Sequence, residues 1–312
     1  MKVLVFGIGA LGTVFATCLK ADGHTVYCFV KPHHKSKLEG KEFKITGLFG
    51  EKSAVPDGIF TSPEELKDKD VELVILCVKA FDTEKALKQI KEFAKENTLI
   101  LLAQNGYGNY EKAIEVFSKK QVILGRVIFG ARVIEPGFAE VTVIADDVVI
   151  GQPHKEIPEE KLKYIAETLT KAGIPTRYSP DVYKILWDKI LYNSALNPLG
   201  ALLECNYGKL AEIPETKALM DKIIEEIFEV TKANDIELNW SSAEEYKKVF
   251  YEKLVPPTAA HYPSMYYDIK SGKKTEIDAL NGAIVRLGEK AGIPTPVNEV
   301  ITALIKAKEN LG

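Results

Sequence analysis

Lys189, Asn193 and Asn197 are spaced by four within Trp187-Asp188-Lys189-Ile190-Leu191-Tyr192-Asn193-Ser194-Ala195-Leu196-Asn197-Pro198-Leu199. A helix would stack the three on one face. The surrounding positions Ile185, Leu186, Ile190, Leu191 and Leu196 are apolar. A narrow polar stripe on an otherwise buried helix is costly unless something polar lies against it, and a bound hydroxy- or ketoacid would satisfy it. Pro198 predicts a kink or the end of the regular helix near Asn197. Farther on, Thr275 reads as an N-cap that puts Glu276 in the first helical turn, where its charge suits the dipole. On spacing alone, Glu276 reads equally as a helix-start carboxylate, and Asp268 as a brace between helices.

A second set of residues belongs to a phosphate loop. Gly7-Ile8-Gly9-Ala10-Leu11-Gly12 is G-x-G-x-x-G, and it follows an apolar run that starts at Val3 and opens a helix. That context is what a dinucleotide site needs: Gly7 for the tight turn, Gly9 for backbone approach to the pyrophosphate, Gly12 for close helix–strand packing. The helix N-terminus adds N–H groups and a positive dipole end. The second strand ends at Lys31-Pro32-His33-His34-Lys35-Ser36-Lys37, with no acid until Glu39. A carboxylate there would bind a ribose 2′-hydroxyl, whereas lysines attract a 2′-phosphate. The reading is therefore NADPH, with Lys31 as the phosphate contact; the alternative is a solvated lysine loop. Lys79 and Asn105 each follow an apolar strand, at carboxyl ends where open α/β sheets bind ligands.

These residues need a particular scaffold. Val3–Phe6, Val26–Val30, Val71–Val78 and Leu99–Ala103 read as strands, with helices over Ala10–Asp22 and Asp82–Asn97 between them. Ser62-Pro63-Glu64-Glu65 opens a short helix as a capping box. This β-α-β-α rhythm predicts a mostly parallel sheet with helices on both faces. Val122–Val133 and Ala139–Gly151 read as strands around the turn Glu135-Pro136-Gly137, extending that sheet with antiparallel pairing. Pro158–Ala172 reads as a helix ending at Gly173, followed by a last strand at Ile174–Tyr178. After Ser179-Pro180 the chain reads as nearly all helix: Asp181–Cys205, Glu215–Asn234, Ala243–Leu254, Ser264–Lys270, Glu276–Ala291 and Val297–Glu309. The expected organisation is an NADP-binding Rossmann-type α/β domain over 1–179 and an all-α substrate-binding and catalytic domain over 180–312.

The 312 residues are 46% hydrophobic and 27% charged, with a net charge of −3. Two domains suit that length. The charge gives no basic surface for nucleic acid or an anionic membrane, and no stretch approaches the roughly 20 apolar residues of a membrane span. Cys18, Cys28, Cys77 and Cys205 lack metal-ligand spacing, and no histidine cluster suggests a metal. Buried reduced thiols and the absence of a signal-peptide layout fit a cytoplasmic enzyme.

Taken together, these segments resemble the ketopantoate reductase family over nearly the whole chain. The resemblance is carried by G-x-G-A-x-G, the strand end Val78-Lys79-Ala80, Gln104-Asn105-Gly106, W-x-K-x-x-x-N-x-x-x-N-P, and S-M-x-x-D-I followed by T-E-I-D-x-x-N-G. It implies a 6-phosphogluconate-dehydrogenase-like fold and NADPH-dependent reduction of 2-dehydropantoate (ketopantoate) to (R)-pantoate, for pantothenate and coenzyme A synthesis. It further implies Lys189 as catalytic acid and Asn193, Asn197 and Ser264 as substrate-binding groups. Lys79, Asn105 and Glu276 would lie around the nicotinamide and its ribose, and the Ala131 backbone would meet the cofactor. Lys31 matches a phosphate-binding Arg but lacks its planar fork. Pro263, His261 and Tyr207 also depart from the family pattern, the last two where relatives can carry a substrate-contacting Asn. A related ketoacid or hydroxyacid reductase, or a non-catalytic NADPH sensor, are the competing readings. The last helices carry apolar residues enough for a core or a homodimer face.

Overall fold

Alternating apolar runs and glycine turns in the first half build a layered α/β unit. The computed structural model describes residues 1–311, so Gly312, the end of the expected helical domain, lies outside the described residues. By packing, residues 1–105 and 109–183 form one unit, and residues 106–108 with those from Lys184 onward form a second. The strands of the first unit are β1 (Lys2–Phe6), β2 (Thr25–Phe29), β3 (Phe43–Gly47), β4 (Lys52–Ala54), β5 (Gly58–Phe60), β6 (Leu73–Leu76), β7 (Leu99–Leu102), β8 (Val122–Arg126), β9 (Phe129–Glu135), β10 (Phe138–Ile144), β11 (Val148–Gly151) and β12 (Thr176–Tyr178). Eight of them form one sheet in the order β12-β11-β8-β7-β6-β1-β2-β5. Its pairings are parallel except β8 with β11. Every residue of β6 and β7 is buried, as expected of strands covered on both faces. The helices α1 (Ala10–Ala21), α3 (Thr83–Lys91), α4 (Asn109–Val116) and α5 (Glu159–Lys171) provide the cover, and α2 (Pro32–Leu38) follows β2.

Three expectations for this unit are corrected. The runs Val122–Val133 and Ala139–Gly151 each break in two. Only β8 and β11 join the large sheet, while β9 and β10 form a hairpin at Pro136-Gly137 within a separate sheet, β4-β3-β10-β9. The cause is long-range: β10 pairs in parallel with β3, and this sheet buries Phe43, Ile45, Ala139 and Val141 in one core with Val14, Phe15 and Cys18 of α1. The segment after Lys31 is the helix α2, with Pro32 in its first turn, so His33 and His34 are helical rather than loop residues. The helix expected over Asp82–Asn97 ends at Lys91. There Thr98 accepts from the Lys95 amide (3.1 Å) and donates to the Val71 carbonyl (2.9 Å), and this side-chain pairing replaces the last helical turn. The capping box at Ser62 is present, opening a 3-10 turn at Pro63–Leu66.

The second unit is helical: α6 (Val182–Leu203), α7 (Tyr207–Glu212), α8 (Pro214–Ala233), α9 (Ala243–Val249), α10 (Ser264–Lys270), α11 (Asn281–Ala291) and α12 (Pro296–Leu311). Its core holds Trp187, Ile190, Leu191, Met220, Ile223, Ile227, Tyr246 and Phe250. Two expectations are corrected here as well. Of the kink or end expected near Asn197, the end does not occur: Pro198 lies inside α6, and the Ser194 carbonyl, which a proline at 198 cannot bond, receives the Asn281 side-chain amide (3.1 Å). Glu276 is not in the first turn of a long helix. It caps a 3-10 turn, Ile277–Ala279, and α11 begins only at Asn281. Thr275 does accept from the Ile277 amide (3.2 Å), but the N-cap of this turn is Glu276 rather than Thr275.

Candidate active site

The phosphate loop sits where strand order reverses around β1, with β2 on one side and β6 on the other. Gly7 donates its N–H to the Phe29 carbonyl (3.0 Å), which ties the turn to the end of β2. A Cβ on Gly12 would lie 2.1 Å from the Gly7 carbonyl oxygen, so only glycine lets α1 approach β1 this closely. Gly9 is the N-cap of α1, and a Cβ there would meet nothing within 4 Å among the described residues. The backbone of Gly9, Ala10 and Leu11 thus offers an open face at a helix start whose first N–H groups have no helical acceptor. Ile8 and Leu11 pack against the core. This cradle suits a pyrophosphate.

Lys31 precedes α2, and its ammonium lies 3.0 Å from an Asp82 carboxylate oxygen while 62% exposed. Lys35 pairs with Glu65 (3.3 Å), so two of the cations already face carboxylates. Lys79 follows β6 and precedes the 3-10 turn Ala80–Asp82. Asn105 follows β7. A buried side-chain network absent from the sequence reading braces these two strand ends. Gln104 donates to the Val78 carbonyl (2.9 Å) and to Thr83 Oγ1 (2.6 Å). Thr83 donates to Asn109 Oδ1 (2.8 Å), and Asn109 Nδ2 donates to the Asn105 carbonyl (2.9 Å). No spacing rule links residues so far apart in the chain. Ala131 lies in β9, paired with Val141 and packed against the core that includes α1.

In the second unit α6 presents the stripe. Lys189 and Asn193 are half-buried and Asn197 is buried. Asn197 Oδ1 accepts a hydrogen bond from the Tyr207 hydroxyl (2.7 Å). Burial, reinforced by the neighbouring Tyr192, pushes the Tyr207 phenol far up, so it stays protonated as a donor. Tyr207 is therefore a holder of Asn197, which sequence alone does not reveal. Its ring packs against His261 (5.3 Å), whose imidazole burial pushes down in pKa. Pro263 is buried against Gly200 of α6, where a Cβ would lie 2.9 Å from the proline ring. Ser264, the next residue, opens α10.

The remaining neighbours of Lys189 in the chain have separate tasks. Asp188 accepts from Asn239 (2.6 Å) and from the Trp240 indole (2.9 Å), anchoring the flank of α6. Trp187 packs on Tyr107 (5.4 Å). Gly106 has φ of 83°, and a Cβ there would lie 2.4 Å from the Ala279 carbonyl. Tyr107 donates its N–H to that same carbonyl (2.8 Å). The Gly106–Gly108 loop is thereby locked onto the turn that Glu276 caps. The same segment reaches α6 through Asn281. The structure so gathers Asn197, Tyr207 and His261, and fastens the Glu276 turn to the helix that carries Lys189.

A glycine cradle at the head of an α/β unit, and a helical unit bearing a Lys–Asn–Asn stripe, define an oxidoreductase class with a NAD(P)-binding Rossmann fold. The family profile "Ketopantoate reductase PanE/ApbA" matches residues 3–155, and "Ketopantoate reductase PanE/ApbA C terminal" matches 181–309. The chain belongs to the ketopantoate reductase family. It is 54% identical to a 2-dehydropantoate 2-reductase of Aquifex aeolicus, over 99% of this chain and 97% of that one. A protein of the same name from Pyrococcus abyssi is 31% identical over 100% and 99% of the two chains. Among solved structures, a PanE/ApbA family ketopantoate reductase from Ralstonia eutropha superposes with a TM-score of 0.87 at 28% identity, covering 100% and 99%. A D-mandelate dehydrogenase in complex with NADH gives a TM-score of 0.86 at 27% identity, with the same coverage. Among the described residues, no helix is long and apolar enough to cross a membrane.

Proposed function

We propose that this chain reduces 2-dehydropantoate to (R)-pantoate with NADPH, a step toward pantothenate and coenzyme A, in the cytoplasm. The observation that carries the reading is the Lys189–Asn193–Asn197 stripe on α6, with its last amide already oriented by Tyr207. Identity of 54% along the full chain to a protein named for that reaction supports the substrate. In this reading residues 1–179 bind the cofactor, and residues 180–312 bind substrate and carry the catalytic acid.

The open backbone at Gly9 and the close approach at Gly12 suit the cofactor's pyrophosphate. Bound NADPH would supply a hydride from nicotinamide C4. Lys31 would meet the 2′-phosphate, while Lys79, Asn105, the Ala131 backbone and Glu276 would hold the nicotinamide and its ribose. The fold does not choose between the two nicotinamide cofactors, since the D-mandelate dehydrogenase neighbour is seen with NADH; the lysines after β2 favour NADPH.

Negative charge grows on the C2 ketone oxygen as the hydride arrives. Lys189, as an ammonium, would donate to that oxygen, stabilising the transition state above the ground state, and then release its proton to it. Glu276 would orient the ammonium. Asn193, Asn197 Nδ2, Asn105 and Ser264 would fix the carboxylate and the distal hydroxyl. A homodimer through the helical unit is part of the proposal, supported by the exposed Val300, Leu304 and Leu311 along α12.

The test is Lys189→Ala, assayed at 340 nm with 2-dehydropantoate and with other 2-ketoacids. Loss of the general acid should lower kcat at least about 100-fold, with NADPH binding retained by fluorescence. A near-normal rate removes Lys189 from the mechanism. A wild-type enzyme faster on another ketoacid replaces the substrate.

A further inference from the structure

We infer that Asn281 is a positioning residue for the substrate-binding face of α6, standing in for the backbone donor that Pro198 lacks. The inference rests on the reading of Asn193 and Asn197 given above. In a regular α-helix the N–H of residue 198 would bond the carbonyl of residue 194. Proline has no such hydrogen, and its ring crowds that carbonyl. Ser194 is fully buried, so its carbonyl cannot turn to solvent, and an unpaired acceptor there would be costly. The Asn281 Nδ2 group donates to it at 3.1 Å. Ser194 lies between Asn193 and Asn197 in the chain. A mid-helix carbonyl whose direction the helix does not fix is therefore fixed from outside, within the turn that joins the two amides.

The orientation of the Asn281 amide is itself determined. Glu226 of α8 accepts from the N–H groups of Val297 (2.8 Å) and Asn298 (3.0 Å) at the start of α12, and from Asn298 Nδ2 (2.7 Å). A carboxylate accepts only, so Asn298 must point its amide nitrogen at Glu226 and its oxygen away. That oxygen receives the second hydrogen of Asn281 Nδ2 (3.0 Å). Asn281 consequently presents its nitrogen to both Asn298 and Ser194, and a flipped amide would set oxygen against oxygen at each. The order of donors thus runs from a charge on α8, through α12 and the first residue of α11, to α6. Asn281 also lies at the end of the segment that starts with Glu276, so one side chain couples the positions of two groups assigned to the reaction.

Pro198→Ala supplies the missing N–H, and this makes the inference testable by rescue. Asn281→Ala should raise KM for 2-dehydropantoate about 10-fold or more, with a smaller change in kcat, as expected when binding groups lose alignment. It should also speed backbone amide exchange over residues 195–203. Pro198→Ala alone should change both readouts little. The double variant should recover most of the KM loss and of the exchange protection, since neighbouring groups that share one acceptor are not additive. Asn281→Leu nearly keeps the shape but removes both donors without adding a charge, and should match Asn281→Ala, serving in its place if the alanine variant fails to fold. An unchanged KM, or a loss that persists undiminished beside Pro198→Ala, overturns the inference. If the wild-type protein does not reduce 2-dehydropantoate, the proposed function fails, while the exchange pattern still decides whether Asn281 holds α6.

Discussion

Tyr207→Phe removes one oxygen atom and leaves the ring in place. The lost hydroxyl is the donor to Asn197 Oδ1 at 2.7 Å, and Asn197 is only 6% exposed, so water cannot easily replace it. A buried acceptor left without a partner costs about 1–3 kcal/mol. Part of that cost falls on stability, at roughly 2–4 °C in Tm per kcal/mol for chains of about this size. The rest falls on binding, because the amide is no longer held with its nitrogen toward the ligand. If about 1 kcal/mol is felt there, KM for 2-dehydropantoate rises about fivefold. Lys189 is untouched, so kcat should stay within about a factor of two. Steady-state kinetics at saturating NADPH, with thermal unfolding alongside, separates the two effects. Tyr192→Phe is the control: it removes a hydroxyl that hydrogen-bonds Thr258 from the same aromatic cluster, and should lower Tm without moving KM. A Tyr207→Phe enzyme with lowered Tm and unchanged KM would show that the hydroxyl only stabilises the fold, and would refute its hold on Asn197.

Asp82 competes for the ammonium of Lys31, so Asp82→Asn should raise kcat/KM for NADPH about 2- to 5-fold, the range of one exposed charge pair, with little change for NADH. Equal changes for both cofactors would detach Lys31 from the 2′-phosphate. His261 is held below its ordinary value of 6.5 by burial. The unfolded chain then takes up the proton first, so stability declines as pH falls below that value, until the folded-state pKa is passed. His261→Gln should flatten the slope of urea-unfolding free energy between about pH 5 and 7. An unchanged slope would mean that the imidazole is as accessible in the fold as in the unfolded chain.

The glycine turn and the α6 stripe are legible in the sequence because their spacing is local. Gly7, Gly9 and Gly12 fall within one strand–turn–helix unit, and Lys189, Asn193 and Asn197 share a helix face through the 3.6-residue period alone. The fully apolar runs of β6 and β7 likewise identify a sheet covered on both faces. The hairpin β9–β10 was misassigned because its alternation is that of any half-buried strand. Which sheet it joins depends on β3, nearly a hundred residues earlier in sequence, and no local signal carries that pairing. α2 was missed because its cations and histidines outweigh its short apolar content.

Residue type and local period thus determined on their own which residues share a glycine turn or a helix face. Tertiary structure alone decided how those groups are aimed. Tyr207 reaches Asn197 across a loop, Thr83 and Asn109 brace Gln104 and Asn105, and Asn281 meets the carbonyl that Pro198 leaves bare. The physical reason is that a hydrogen bond between distant side chains depends on how helices pack, and packing is set by the whole core rather than by any window of sequence.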